Sequence, residues 1–251
     1  MKPLIALTLL VSLGCSRPSS TAPVTLHISA ASSLREPLEA LAARYQHAHH
    51  GVTVRVSFGA SGDLATQIER GAPVALFASA SREPVDRLAR SAHLDVLCSL
   101  AGNELVLVRT TNTALADLRW DNLTTHAALT RLAIGITPAV PAGVYAEGAL
   151  RTLGTLEALR PKIVRGGNAR QVLDLVARGE AEAGVVYATD ARGRSDVAVV
   201  GPPPPSARPV VRYPLALMTG AEHSSEARAL GQWMCGSEGR EVFQHFGFTA
   251  P

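Results

Sequence analysis

The chain has 251 residues, 47% of them hydrophobic and 18% charged, with a net charge of +3 and only 4% aromatic residues. This is globular composition, with core enough for one large domain or two modest ones. The positive balance comes from scattered arginines, not a dense basic block, so a nucleic-acid partner is excluded for want of an electrostatic stripe or a stacking platform.

The first fifteen residues read as a targeting segment. Met1-Lys2 is a short basic start, and Pro3 to Leu13 is an apolar run too short to span a bilayer as a mature helix. It ends in Ser12-Leu13-Gly14-Cys15. A small residue before Cys resembles a bacterial lipoprotein signal, with cleavage before Cys15 and lipid on its sulfur. Ser12 stands where Leu is commonest, and ordinary secretory cleavage nearby is the alternative. Residues 16–23 form a polar Ser/Pro tether. On either reading the mature protein is exported, and any membrane association is through the lipid. Cys98 and Cys235 then remain, either bridged or as two isolated buried thiols. With no Cys-x-x-Cys there is no redox or zinc motif.

From Val24 the pattern alternates strand and helix. Val24–Ser29 is a β-branched strand, and Leu34–His47 carries apolar residues at helical spacing behind Ser33-Leu34-Arg35-Glu36, a capping-box pattern. Val52–Phe58 alternates as a strand. Further segments follow: a helix over 63–70, a strand over 74–78 and a helix over 81–89, the rhythm of a sheet covered on both faces. The second half repeats it: strands at 103–109, 132–136, 163–164, 184–187, 197–200 and 210–218, with helices at 144–153, 156–159, 169–178, 224–235 and 237–246. Two α/β lobes are predicted, the first from 24–102 and 212–251, the second from 103–211. Between such lobes the C-terminal ends of strands and the N-termini of helices line a cleft.

Five places share a chemistry: Ser32-Ser33, Ala60-Ser61, Pro141-Ala142-Gly143, Asn168-Ala169 and Tyr187. Four sit at helix starts, where backbone N–H groups have no partner inside the helix, which is the chemistry of an anion site. None carries a formal positive charge. Brought together, they would form a cage of neutral donors suited to a small, fully ionised oxyanion. No contact position titrates between about pH 6 and 9, so affinity for such an anion is expected to be flat across that window.

The segments ISAASSL (28–34), SFGASGDLATQIERGAPVALFASAS (57–81), GNELVLV (102–108), TPAVPAGVYAEGAL (137–150), NARQVLDLVARGEAEAGVVYATDA (168–191), RYPLALM (212–218) and GREVFQHFGF (239–248) resemble, in order and spacing, the periplasmic molybdate-binding proteins. That family is the solute-binding component of ABC molybdate importers. The resemblance implies a type II periplasmic-binding-protein fold, two α/β lobes joined by two crossovers with the ligand in the cleft. It also implies a monomer without enzymatic activity or cofactor, located in the periplasm or otherwise outside the cytoplasmic membrane. Its implied partners are molybdate or tungstate and the permease of an ABC transporter. The implied ligand set is the hydroxyl and N–H of Ser33 and of Ser61, the backbone N–H of Ala142 and of Ala169, and the hydroxyl of Tyr187, with Mo or W held only as the oxyanion. The sequence departs from the family at Ala75, where Asp is usual, and at Ala169, where Val is usual.

Bland readings compete at each position. Ser33 and Ser61 taken singly are helix caps, and Tyr187 alone is a packing residue. Gly59-Ala60-Ser61-Gly62-Asp63 begins like a nucleophile elbow, but no base motif accompanies it, which leaves a Ser-dependent hydrolase as a remote alternative. His47, His49 and His50 cluster at a helix end, where His complements the dipole, with a zinc or copper site as the alternative that lacks a second cluster at ligand spacing. Asp190 and Arg170 read as structural neighbours of the site, not ligands. Sulfate or phosphate remain as alternative tetrahedral ligands.

Overall fold

The computed structural model describes residues 23–91 and 94–251. The leader, Cys15 and the tether up to residue 22 lie outside the described residues. In chain order the strands are β1 (Val24–Ala31), β2 (Val52–Gly59), β3 (Leu76–Ala78), β4 (Leu94–Asn103), β5 (Leu105–Thr110), β6 (Leu132–Gly135), β7 (Ile163–Gly166), β8 (Ala183–Tyr187), β9 (Val197–Gly201) and β10 (Val211–Met218). The helices are α1 (Arg35–Ala48), α2 (Ser61–Glu69), α3 (Arg82–Ser91), α4 (Pro141–Thr152), α5 (Leu156–Leu159), α6 (Ala169–Ala177), α7 (Ala188–Ala191), α8 (Ser224–Cys235) and α9 (Ser237–His245).

The strands form two sheets, one per lobe, ordered β2-β1-β3-β10-β4 and β7-β6-β8-β5-β9. In each, three strands run parallel and are joined by helices. One antiparallel strand enters beside them, β10 in the first lobe and β5 in the second. The two lobes therefore share one topology. The chain leaves the first sheet at Asn103, enters the second at Leu105, and returns between Gly201 and Val211.

Register decides where the loops emerge. Ala31 lies opposite Gly59, and Ala30 opposite Ala78, so β1, β2 and β3 end level with one another. Gly135 and Gly166 end level in the second sheet. Each level edge feeds helix starts into the same cleft, as open α/β sheets do at their carboxyl ends. The core beneath is aliphatic and alanine-rich, with Leu26, Leu34, Leu76, Leu105, Leu107 and Ile134 all fully or almost fully buried.

The sequence pattern misses β4. Leu94 to Cys98 does not alternate cleanly, because its pairing with β10 slips twice, between Arg212 and Pro214 and between Leu215 and Ala216. Bulges of this kind scramble the period-two signal. The same strand carries Cys98, which forms a disulfide with Cys235 at the end of α8, so the two thiols are bridged, not isolated. The stretch 111–131, which the pattern leaves without an element, is built of turns and one 3-10 turn at Thr113–Leu115. It is pinned by buried Leu115, Leu118, Trp120, Leu123 and Leu129, and Trp120 Nε1 donates to the Gly201 carbonyl at 3.0 Å.

Candidate functional site

Ser33, Ser61, Ala142, Ala169 and Tyr187 all line one small cavity between the lobes, together with Ala31, Ser32, Gly59, Ala60, Ala80, Val140 and Pro141. Its free volume is about 10 Å³. No charged side chain lines it. The structure thus brings together every residue that sequence reasoning had placed in one site.

Each donor is placed by its element. Ser32-Ser33 forms a 3-10 turn between β1 and α1, and Ser61 is the first residue of α2. Ala142 is the second residue of α4, with Pro141 before it, and Ala169 is the first residue of α6. At all four the helix itself offers no acceptor for the backbone N–H, and the terminus carries partial positive charge. Asn168 caps α6 through its side chain, accepting from Gln171 N–H at 2.9 Å, which leaves Ala169 N–H uncommitted to the cap.

The capping-box reading of Ser33 is overturned. α1 has Leu34 at its N-cap and no side-chain cap bond. The Ser33 hydroxyl instead lies 3.2 Å from the Tyr213 hydroxyl, and Glu36 reaches Arg170 on α6, Oε1 to Nη2 2.5 Å, across the cleft. Ser61 is not a cap by its side chain either. Its Oγ accepts from the Ala80 N–H at 3.0 Å, so its own proton is left for another partner. No His lines the cavity to serve as a base for it.

Sequence reasoning missed how closely the lobes approach. Gly62 N–H donates to the Ala139 carbonyl of the other lobe at 2.9 Å, and a Cβ at Gly62 would lie 2.8 Å from Ala139 backbone. Gly143 is under the same constraint, since its Cβ would lie 2.2 Å from the Gly135 carbonyl oxygen. Only glycine allows α4 to start this close to β6 and so bring the Ala142 N–H to the cavity. The loop before α4 is braced by Arg165, which donates to Gly135 O at 3.0 Å and to Glu147 Oε1 at 2.6 Å.

Behind the cavity the electrostatics are less neutral. Tyr187 Oη is buried without a hydrogen-bond partner, and burial pushes its pKa far up, so it stays a donor. Asp190 has a buried, unpartnered Oδ2; desolvation raises its pKa to about 7, against the lowering field of Arg170. Its charge reaches both Tyr187 and Tyr213. The five lining positions carry no carboxylate, His, Lys or Arg, and Asp190 behind them, its pKa raised to about 7, gives pH a route to the site. Ala75, the other departure, precedes β3 at the end of the first sheet remote from the cavity, its N–H held by His27 O at 2.8 Å. His49 of the His cluster stacks on Tyr45 at 3.8 Å between ring centroids. Among the described residues no group of three or more His, Cys, Asp or Glu could hold a metal ion.

Residues 26–249 match the model of a family described as bacterial extracellular solute-binding protein. The chain is 35% identical over 243 residues to the putative ABC transporter substrate-binding lipoprotein YvgL of Bacillus subtilis, covering 94% of this chain and 92% of that one. It is 35% identical over 227 residues to the molybdate-binding protein ModA of Escherichia coli, covering 88% of each. Among solved structures it resembles the Azotobacter vinelandii periplasmic molybdate-binding protein, with a TM-score of 0.79, 22% identity, and 90% and 99% of the two chains covered.

Proposed function

This chain belongs to the bacterial extracellular solute-binding proteins, a non-enzymatic class, and from that premise we propose that it binds molybdate or tungstate outside the cytoplasmic membrane and delivers it to the permease of an ABC transporter. One observation carries the reading: a cavity between two lobes lined by hydroxyls and helix-start N–H groups, without a charged side chain. A buried dianion loses a large hydration energy and needs a replacement partner for every oxygen. Hydrogen bonds to an ionised acceptor are short and stronger than neutral pairs, and helix N-termini add partial positive charge. Tyr187 Oη, buried and unpartnered, is a further donor waiting for an acceptor. The relatives named as molybdate-binding proteins support the choice of anion. Molybdate and tungstate share charge and shape, so both are ligands in this reading. The protein works as a monomer, tethered through lipid on Cys15, and the intact mass of the mature chain reports that lipid.

The test is titration calorimetry of the purified mature chain with molybdate, tungstate, sulfate and phosphate, paired with thermal melting. Molybdate and tungstate should bind one to one. At a thousandfold excess over the dissociation constant either should stabilise the fold by about 4 kcal/mol. Equal shifts from all four salts would reduce the effect to ionic screening and overturn the site.

A further inference from the structure

A hydroxyl can donate or accept, so a cage built on hydroxyls rejects a protonated ligand only if something fixes which way each proton points. For Ser33 the structure supplies that device behind the cavity, in residues that do not line it. Asn103 Oδ1 accepts from the Glu104 backbone N–H at 2.8 Å. A backbone N–H can only donate, so this contact fixes the orientation of the amide. The amide nitrogen therefore faces Thr189 Oγ1 at 2.8 Å and Tyr213 Oη at 3.0 Å, and both contacts are donations. Tyr213 Oη thus accepts from Asn103. Its own proton has one remaining neighbour, Ser33 Oγ at 3.2 Å. Ser33 Oγ accepts it and must turn its own proton away from Tyr213, into the cavity it lines. Reversing any link would leave two donors facing each other or a buried hydroxyl proton without an acceptor, either of which is unfavourable.

We propose that Asn103 and Tyr213 are specificity-determining positioning residues: a one-way chain of hydrogen bonds, Glu104 N–H to Asn103, Asn103 to Tyr213, Tyr213 to Ser33, locks the Ser33 hydroxyl as a donor and so selects fully deprotonated tetrahedral anions over protonated ones. Neither residue touches the cavity. Both are buried and sit where the chain passes between lobes, Asn103 at the end of β4, where it pairs with Val211, and Tyr213 in the register slip of β10 two residues further on. Burial raises the Tyr213 pKa well out of the physiological range, so the relay keeps its proton at every pH at which the protein works. Ser61 reaches the same state by a shorter route, because the donor that occupies its lone pair is the Ala80 backbone N–H.

The inference rests on the proposed anion site, and the experiment separates the two. Molybdate, which carries no proton at neutral pH, and phosphate, which keeps at least one, are titrated calorimetrically into the unsubstituted chain, Tyr213→Phe and Asn103→Asp, with melting temperatures recorded for each. Tyr213→Phe frees Ser33 to accept. Molybdate affinity should fall about tenfold, the loss of one oriented bond, while phosphate affinity holds or rises, so the ratio of the two narrows at least tenfold. Asn103→Asp provides a second reading should Tyr213→Phe fold poorly. A carboxylate at 103 has no N–H to donate; it accepts a hydrogen bond from the Tyr213 hydroxyl and so reverses the chain, presenting a Ser33 lone pair to the ligand. The added charge alone would weaken both anions alike, whereas reversal lowers the molybdate-to-phosphate ratio. Parallel losses for both anions in both variants, or an unchanged ratio, would overturn the relay and leave the anion site standing. No molybdate binding by the unsubstituted chain would overturn the functional reading and the relay with it.

Discussion

The two lobes have the same strand order but contribute to the cavity by different means. The first supplies side-chain hydroxyls, Ser33 and Ser61, each held by a donor behind it. The second supplies backbone N–H groups at Ala142 and Ala169 and one hydroxyl, that of Tyr187, which has no hydrogen-bond partner among the described residues. A backbone N–H is aimed by the helix that carries it; a hydroxyl has a free rotor and must be aimed by a neighbour. One topology can therefore present the same chemistry through positions that differ greatly in what sequence change they tolerate. In the first lobe the residue type is the donor. At Ala142 and Ala169 of the second, helix geometry is the donor, and the side chain only has to stay small.

The largest test of that contrast is the double substitution Ser33→Ala/Ser61→Ala. It removes two bonds to an ionised ligand at about 1.5–3 kcal/mol each, so molybdate affinity should fall by roughly two to four orders of magnitude. The apo fold should survive with some loss of stability, since neither hydroxyl caps its helix but the Ala80 N–H and the Tyr213 hydroxyl each lose an acceptor. Calorimetry reads the loss and circular dichroism the fold. Affinity within threefold of the unsubstituted chain would remove both serines from the site.

The lobes also differ in covalent reinforcement. Cys98–Cys235 ties β4 to α8 in the first lobe across 137 residues of sequence. Constraining so long a loop in the unfolded chain contributes about 2–5 kcal/mol. Reduction, or Cys98→Ala/Cys235→Ala, should lower denaturant stability by that amount and leave the second lobe's amide-exchange protection the less affected. Equal loss of protection in both would show that they unfold as one unit.

Much of this was legible in the sequence, for identifiable reasons. The five cavity positions could be read because helix starts announce themselves through small residues, Pro and Gly after an apolar run, as in Pro141-Ala142-Gly143. α8 and the short α5 were placed to the residue. What could not be read depends on partners distant in sequence. The strand β4 was hidden by two register slips against β10. Ser33 looked like a cap because the Tyr213 hydroxyl that claims it is 180 residues away. Gly62 gave no sign that it faces Ala139 of the other lobe. Asp190 was set aside as a ligand, but the rise of its pKa to about 7 follows chiefly from burial, which spacing does not reveal.

That carboxylate distinguishes the lobes by pH. Desolvation lifts the Asp190 pKa from 3.8 to about 7, so between those values the native state holds a proton that the unfolded chain has released. Stability is then greatest at low pH and is lost as pH rises toward about 7. Three units at 1.36 kcal/mol each set an upper bound of about 4 kcal/mol. Asp190→Asn should flatten the decline between pH 5 and 8 in urea unfolding. Because the charge sits behind Tyr187, molybdate affinity should also weaken across the same range and flatten in the variant. A variant with the parent's slope would assign the titration to another group.

The finest test concerns Ala169, where donor and side chain can be separated. Ala169→Pro deletes the N–H and puts the ring's Cδ in its place. Proline is tolerated at the first position of a helix, and Asn168 already has the extended backbone that a residue before proline needs, φ −162° and ψ 171°. α6 should therefore form, while molybdate affinity falls about tenfold or more for the missing bond. Ala169→Gly keeps the N–H and removes only a methyl group. Its effect should be about threefold or less, the size of a small rise in backbone freedom at a helix start. If glycine were as damaging as proline, the second lobe would be acting through its side chains, as the first does. The division between residue-borne and helix-borne donors would then fail.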